Sequence, residues 1–133
     1  MRARVKLPAK NDDMRDIESE KKLEARLVSE IKSRGGLAVK NTSQFHRGLP
    51  DRIVLLPYHT ISFVEMKTTG EKPTALQAAV QAKLWNMGYT VYTIDSTAAL
   101  EAFLTKMDRR LDRMRREDEE LMKELTEEEF SEV

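Results

Sequence analysis

Four apolar residues recur every three or four positions early in the chain, at Leu23, Leu27, Val28 and Ile31. This spacing places them on one side of a helix. The pair Gly35-Gly36 follows, and glycine commonly ends a helix. We therefore predict a first helix from about Ile17 to Arg34. Residues 1–16 mix charges with Pro8 and show no such spacing, so we expect a flexible basic arm there.

Shorter apolar runs, typical of strands, fill the middle of the chain. They cover 37–40, 53–56, 61–66 and 89–94, and the segment 57–60 predicts a hairpin between the second and third. Residues 74–87, flanked by Thr74 as N-cap and Gly88 as C-cap, and residues 97–129 are instead typical of helices. The predicted order is one helix, three strands, a helix, a strand and a helix, which indicates an α/β protein.

The last predicted helix carries an apolar stripe near heptad positions, interrupted by Asp118, at Met107, Leu111, Met114, Leu121 and Leu125. Packing against the chain's own domain and a dimerising coil both remain open. We divide the chain into the basic arm, a domain over 17–104 and a charged C-terminal helix or tail over 105–133.

The net charge of the 133-residue chain is zero because two segments of opposite net charge cancel. Residues 1–104 hold 16 basic and 12 acidic residues, whereas residues 105–133 hold 7 and 11. The body is therefore at +4 and the tail at −4. A mildly basic body is compatible with binding a polyanion such as nucleic acid.

The residue types present exclude several classes of site. There is no cysteine and there are only two histidines, so disulfides, thiolate ligands and structural zinc are excluded, and any metal must be held by oxygen. Neither a signal peptide nor a run of about 18 apolar residues is present. We therefore expect a cytoplasmic protein that does not contact membranes.

Glu65 and Lys67 are the first candidates for chemistry. In a strand, alternate residues point to the same face, so both side chains lie on the side of Ile61 and Phe63. A carboxylate and an ammonium group at the end of an apolar strand are costly to bury without partners. A divalent cation would be a suitable partner for this pair.

Asp51 begins the preceding strand, and in a hairpin its carboxylate can lie beside Glu65. Two carboxylates without histidine or cysteine form the oxygen-rich site that Mg²⁺ or Mn²⁺ prefers. Such a site suits phosphodiester hydrolysis, which needs a neutralised phosphate and an activated water. Lys67 would orient the water and offset the developing negative charge.

Pro50-Asp51 followed by Glu65-Met66-Lys67 resembles the PD-(D/E)xK nuclease signature. The surrounding residues resemble its VRR-NUC branch, and small stand-alone phage and bacterial members in particular, over residues 18–96: Gly35-Gly36, Arg47-Gly48-Leu49-Pro50-Asp51-Arg52, Phe63-Val64-Glu65-Met66-Lys67 and Gln77. The resemblance implies a restriction-endonuclease-like core, with a small mixed β-sheet flanked by helices and followed here by the charged helix.

The resemblance also implies further site residues. A carboxylate on the first helix completes the acidic set, for which we favour Glu24 over Glu20, one turn earlier, because Glu24 accompanies the apolar stripe. Gln77 is assigned to the edge of the active site. The backbone carbonyl of Met66 joins Asp51 and Glu65 as a metal ligand, and Glu24 is a further candidate.

The implied activity is a Mg²⁺- or Mn²⁺-dependent, structure-specific DNA endonuclease, acting as a homodimer on branched DNA such as four-way junctions in a bacterial or phage-infected cell. Candidate DNA contacts are Lys40, His46, Arg47 and Arg52. The alternatives are an inactive module that binds junctions and a restriction-type nuclease that reads a sequence. The intact acidic set favours the enzyme.

Overall fold

A computed structural model describes residues 10–42, 47–68 and 70–131. Its elements are α1 (Lys10–Ser33), β1 (Leu37–Lys40), β2 (Arg52–Leu56), β3 (Thr60–Met66), α2 (Ala75–Asn86), β4 (Val91–Ile94) and α3 (Thr97–Ser131). The predicted order of helices and strands is therefore confirmed.

The four strands form one mixed sheet in the order β1-β2-β3-β4. The first three strands pair antiparallel, and β4 pairs parallel to β3. A parallel pair needs a crossover connection, which α2 supplies. The mixed α/β class predicted from the sequence is confirmed.

One face of the sheet, the inner face, carries the hydrophobic core. Alternate residues of β2 and β3 meet α1 and α3 there, in a buried cluster formed by Leu27, Ile31, Val54, Leu56, Val64, Met66, Ile94, Leu100, Phe103, Leu104 and Met107. Full burial of one such side chain contributes about 1.5–3 kcal/mol. This cluster holds the two long helices against the sheet.

The opposite, outer face is largely open. Two rows of apolar side chains cross it, Leu37-Leu55-Ile61 and Val39-Ile53-Phe63, and in each row the residues are directly paired between strands. We call these six residues the outer apolar rows. Leu37 is 65% exposed and Val39 is 42% exposed. The helix α2 contacts β4 and the end of β3 rather than covering both rows.

Several element limits differ from the sequence-based predictions. The first helix begins at Lys10 and not at Ile17. Residues 10–16 are therefore helical, and their assignment to the flexible arm was wrong. The rest of the predicted arm, residues 1–9, lies outside the described residues. The strand β4 starts at Val91, two residues later than predicted, and Thr60 belongs to β3. None of these differences moves a predicted site residue to another element.

The helix α3 continues without interruption past residue 104. Along its stripe Met107 is buried in the core, Leu111 and Met114 are half-buried, and Leu121 and Leu125 are exposed. The first part of the stripe therefore packs on its own domain. Within the described ranges, no helix is long and apolar enough to cross a membrane.

Candidate active site

Asp51 and Glu65 converge on the outer face at the open end of the β2–β3 hairpin. Arg52 pairs with Val64 in the antiparallel ladder. Asp51, which precedes Arg52, therefore lies opposite Glu65, which follows Val64. The Oδ2 atom of Asp51 accepts a hydrogen bond of 2.8 Å from the backbone N–H of Met66, which fixes that carboxylate beside β3. Hairpin pairing thus produces the juxtaposition expected from the sequence.

Glu65 is only 3% exposed. Its burial, the negative charge of Asp51 and a hydrogen bond with Asp51 together raise the pKa of Glu65 to about 7, against an opposing effect of the Lys67 charge. Among the described residues its Oε2 atom has no hydrogen-bond partner. An unsatisfied buried carboxylate oxygen is costly, so this atom is suited to accept a ligand.

Lys67 and Gln77 complete the outer side of the site. The Nζ atom of Lys67 donates to Oε1 of Gln77 over 2.8 Å, and Nε2 of Gln77 donates to Oε1 of Glu65 over 3.4 Å. Strand alternation therefore placed Glu65 and Lys67 on one side correctly. Gln77, in the first turn of α2, connects the two.

The structure does not bring Glu24 to this carboxylate pair. Its Oε1 atom lies 2.9 Å from Nε of Arg52, and the Arg52 guanidinium also donates to the backbone carbonyl of Ala38. Both groups belong to the inner side of the sheet, since Arg52 shares its parity with the buried Val54. A catalytic role for Glu24 stays a prediction.

Glu20, the alternative to Glu24, lies closer to the end of β3. Its Oε2 atom accepts a hydrogen bond of 3.4 Å from the Thr68 hydroxyl. Glu20 and Lys67 both line a small polar cavity of about 140 Å³. Of the two candidates Glu20 and Glu24, the structure therefore places Glu20 nearer to Lys67.

The candidate DNA contacts fall in different environments. Lys40 and Arg47 are exposed, as a phosphate contact requires, whereas Arg52 is occupied by Glu24 and Ala38. His46 lies outside the described residues. Among the three candidates that the structure describes, Lys40 and Arg47 are therefore the accessible ones.

Two observations bear on whether a divalent cation fits this site. The described residues contain no group of three or more His, Cys, Asp or Glu side chains arranged to hold a metal. Asp51 and Glu65 are nevertheless two converging carboxylates, and one has an unsatisfied buried oxygen. A pair of carboxylates supplemented by a backbone carbonyl and waters suits Mg²⁺ or Mn²⁺. We conclude that the donor set fits such an ion.

Sequence reasoning missed the part that Thr74 plays beyond capping α2. The sequence Thr74-Ala75-Leu76-Gln77 has the spacing of a capping box, in which the N-cap residue and the residue three positions later bond to each other. That signal was available in the sequence. It connects Thr74 to Gln77 and so to the site.

A small mixed sheet that carries Asp, Glu and Lys at one end and is flanked by helices matches a nuclease with a restriction-endonuclease-like fold. The structure is similar to a solved VRR_NUC domain, with a TM-score of 0.61 and 25% identity over 65% of this chain and 95% of that one. The sequence is 47% identical over 77 residues to "Putative nuclease p44" of Acyrthosiphon pisum secondary endosymbiont phage 1, covering 58% of this chain and 83% of that protein. No family model matches the chain. The chain belongs to the VRR-NUC nucleases.

Proposed function

We propose that this nuclease is a Mg²⁺- or Mn²⁺-dependent DNA endonuclease that prefers branched substrates such as four-way junctions, in the cytoplasm of a bacterial or phage-infected cell. The observation that carries the metal-dependent part is the pair formed by Asp51 and the buried Glu65, whose pKa is raised to about 7 and whose Oε2 atom has no hydrogen-bond partner among the described residues. The preference for branched DNA rests on the family resemblance.

Asp51, Glu65 and the backbone carbonyl of Met66 would hold the cation, which supplies Lewis acidity toward the scissile phosphate when bound. Lys67 points to the same side of β3 and offsets the negative charge that develops on the phosphate. Its ammonium group is bonded to the neutral amide of Gln77, which leaves its remaining N–H groups for water and substrate. Glu20 or Glu24 would complete the acidic set.

The outer apolar rows support a homodimer. Four of the six side chains, those of Leu37, Val39, Leu55 and Ile61, are exposed next to one another, and an exposed apolar patch of this kind marks an interaction surface. The row that contains Phe63 is two residues from Glu65 along β3, a separation of about 7 Å. A second copy seated on these rows would lie beside the carboxylates, so two active sites would face one bound DNA.

The activity is tested with labelled linear duplex, single strand, flap and four-way junction, each with Mg²⁺, Mn²⁺ or EDTA. We expect cleavage with either metal, none with EDTA, and the fastest cleavage on the junction. Binding of the junction without any cleavage would instead establish a binding module. Cutting of linear duplex at one sequence would establish a restriction-type nuclease.

The site assignment is tested with Asp51→Asn, which keeps the shape of the side chain and removes its charge. A matched control is Asp112→Asn on the exposed side of α3, where the carboxylate contacts only Arg115 among the described residues. We expect Asp51→Asn to abolish cleavage and Asp112→Asn to retain it. Equal cleavage by both variants would refute the site.

The homodimer is tested by light scattering on the wild type, Leu37→Lys and Leu125→Lys. Leu37 lies in the outer apolar rows and Leu125 lies on the exposed stripe of α3, so the same charge is introduced on each candidate interface. We expect only Leu37→Lys to give monomers. Monomers of Leu125→Lys alone would place the interface on α3, and a monomeric wild type would refute the homodimer.

A further inference from the structure

The first turn of α2 is closed by two reciprocal hydrogen bonds. The Thr74 hydroxyl accepts from the backbone N–H of Gln77 over 3.2 Å, and the backbone N–H of Thr74 donates to Oε1 of Gln77 over 3.0 Å. This capping box satisfies two backbone donors that the start of a helix otherwise leaves without partners. It also holds the Gln77 side chain at a fixed place.

The same bonds fix which way the Gln77 amide faces. Its Oε1 atom accepts from the Thr74 backbone N–H and from Nζ of Lys67, and neither of these groups can act as an acceptor. The oxygen must therefore lie on this side, and the Nε2 group is directed to Glu65, 3.4 Å away. A flipped amide would set nitrogen against two donors and oxygen against a carboxylate.

The first turn of α2 also contacts the loop that precedes Asp51. Gly48 has a φ of +84°, and a Cβ atom there would lie 2.9 Å from Cγ of Leu76 and 3.1 Å from the carbonyl oxygen of Leu76. The backbone of this loop is therefore packed directly on α2. One helical turn thus lies against both chain segments that carry the site.

We infer that Thr74 is a positioning residue for the nuclease site. Thr74 touches neither carboxylate among the contacts described. Its hydroxyl holds the backbone N–H of Gln77 and so fixes the turn in which the Thr74 backbone N–H holds Oε1 of Gln77, which keeps the Gln77 amide bonded to both Lys67 and Glu65. This inference rests on the proposed function for its catalytic consequence. Its structural part, the dependence of the Gln77 amide on Thr74, stands independently.

Three variants test this role. Thr74→Ala removes the capping hydroxyl of an exposed residue, and Thr74→Ser restores it. Gly88→Ala is the matched control, because Gly88 follows the other end of α2, has a φ of +92° and has no atom within 4 Å of an added Cβ. It strains the same helix through its backbone without reaching Gln77.

Two readouts are compared across these variants. The side-chain amide resonances of Gln77 in a nitrogen-15 spectrum report its orientation directly. We expect Thr74→Ala to shift them toward the values of a free glutamine, and Thr74→Ser and Gly88→Ala to leave them unchanged. In junction cleavage we expect kcat to fall about tenfold in Thr74→Ala with KM nearly constant, and to recover in Thr74→Ser.

Each outcome decides between the alternatives. Unchanged Gln77 resonances in Thr74→Ala, or shifted resonances with unchanged kcat, would overturn the positioning role. An equal loss of kcat in Thr74→Ala and Gly88→Ala would show that both variants act by destabilising α2, and would also overturn the positioning role of Thr74. Shifted resonances in a protein whose wild type cleaves no DNA would refute the proposed function and leave the structural role of Thr74 established.

Discussion

Charged side chains have different surroundings on the two faces of the sheet. On the inner face, the guanidinium of Arg52 meets the carboxylate of Glu24 at 2.9 Å, and the surrounding residues form a continuous apolar core. On the outer face, Glu65 is as buried as a core residue yet is neighboured by another carboxylate and keeps one oxygen without a partner among the described residues. The charged groups of the inner face are paired with each other, whereas the outer face holds a buried carboxylate oxygen that is suited to accept a ligand.

Strand alternation is the reason that both environments exist within one short segment. Val64 and Met66 point into the core, while the intervening Glu65 and the following Lys67 point outward. Neighbouring residues of β3 can therefore serve stability and chemistry separately. The comparison predicts that substitutions on the two faces will affect different measurements.

The largest expected effect is the loss of cleavage in Glu65→Gln. Without this carboxylate, the candidate cation site keeps Asp51 alone, and we expect the cleavage rate to fall at least about a hundredfold. Unfolding in urea should show no loss of stability at neutral pH, because a buried charge with an unfavourable neighbour has been removed. If this variant cleaved DNA at the wild-type rate, the outer face would not carry the catalytic site.

The inner face is tested with Leu100→Ala. Leu100 is fully buried between α3 and the sheet, so the substitution leaves a cavity and should lower the free energy of unfolding by about 2–5 kcal/mol. Denaturant titration measures this loss. The cleavage rate per folded molecule should stay near that of the wild type, and a selective loss of activity would mean that the faces are not independent.

The pKa of Glu65 makes the stability of the metal-free protein depend on pH. The folded protein binds this proton with a pKa of about 7, whereas an ordinary glutamate titrates near 4.5. The contribution of this proton to stability is therefore complete at low pH and is lost as the pH rises through about 7. In EDTA we expect the free energy of unfolding to fall by roughly 2 kcal/mol between about pH 5 and 8.

Two controls accompany this pH measurement. Glu65→Gln should remove most of the pH dependence, and Mg²⁺ at about pH 8 should restore stability to the wild type and not to the variant. If the free energy of unfolding of the wild type rose between about pH 5 and 8, the raised pKa of Glu65 would be contradicted.

The smallest expected effects separate Glu24 from Glu20. Glu24→Gln breaks the ion pair with the half-buried Arg52 and should cost about 1 kcal/mol of stability in a urea titration. Glu20→Gln loses only a long hydrogen bond with Thr68 and should unfold like the wild type. If Glu20 completes the acidic set, its variant alone should show slower cleavage, and the reverse result would assign that role to Glu24.

The elements that are signalled by the spacing of apolar residues, or by residues typical of turns and helix ends, could be predicted from the sequence. Strand alternation has a fixed period of two, so the shared side of Glu65 and Lys67 needed no tertiary information. The start of α1 could not be predicted in this way, because residues 10–16 have no apolar stripe and their helix is signalled by no periodic pattern.

The partner of Glu24 depended on which face of the sheet the first helix covers. Both faces of β2 carry apolar residues, Ile53 and Leu55 on one and Val54 and Leu56 on the other, so the sequence does not show that Arg52 points inward. That α1 would present Glu24 to it depends on the phase of the helix across the sheet, which is set by packing of Leu27 and Ile31 in three dimensions. The role of Gln77 as a bridge likewise required the crossover to place α2 beside β3.

The crossover between β3 and β4 has a consequence for local opening of the site. The hairpin of β2 and β3 joins Asp51 to Glu65, whereas Gln77 reaches Lys67 only when α2 is docked. Leu84 is the one buried residue of α2, so few buried apolar contacts hold this helix, and such segments open at a lower free energy than the core. We expect local release of α2 to withdraw the bridging amide and disassemble the site while the core stays folded.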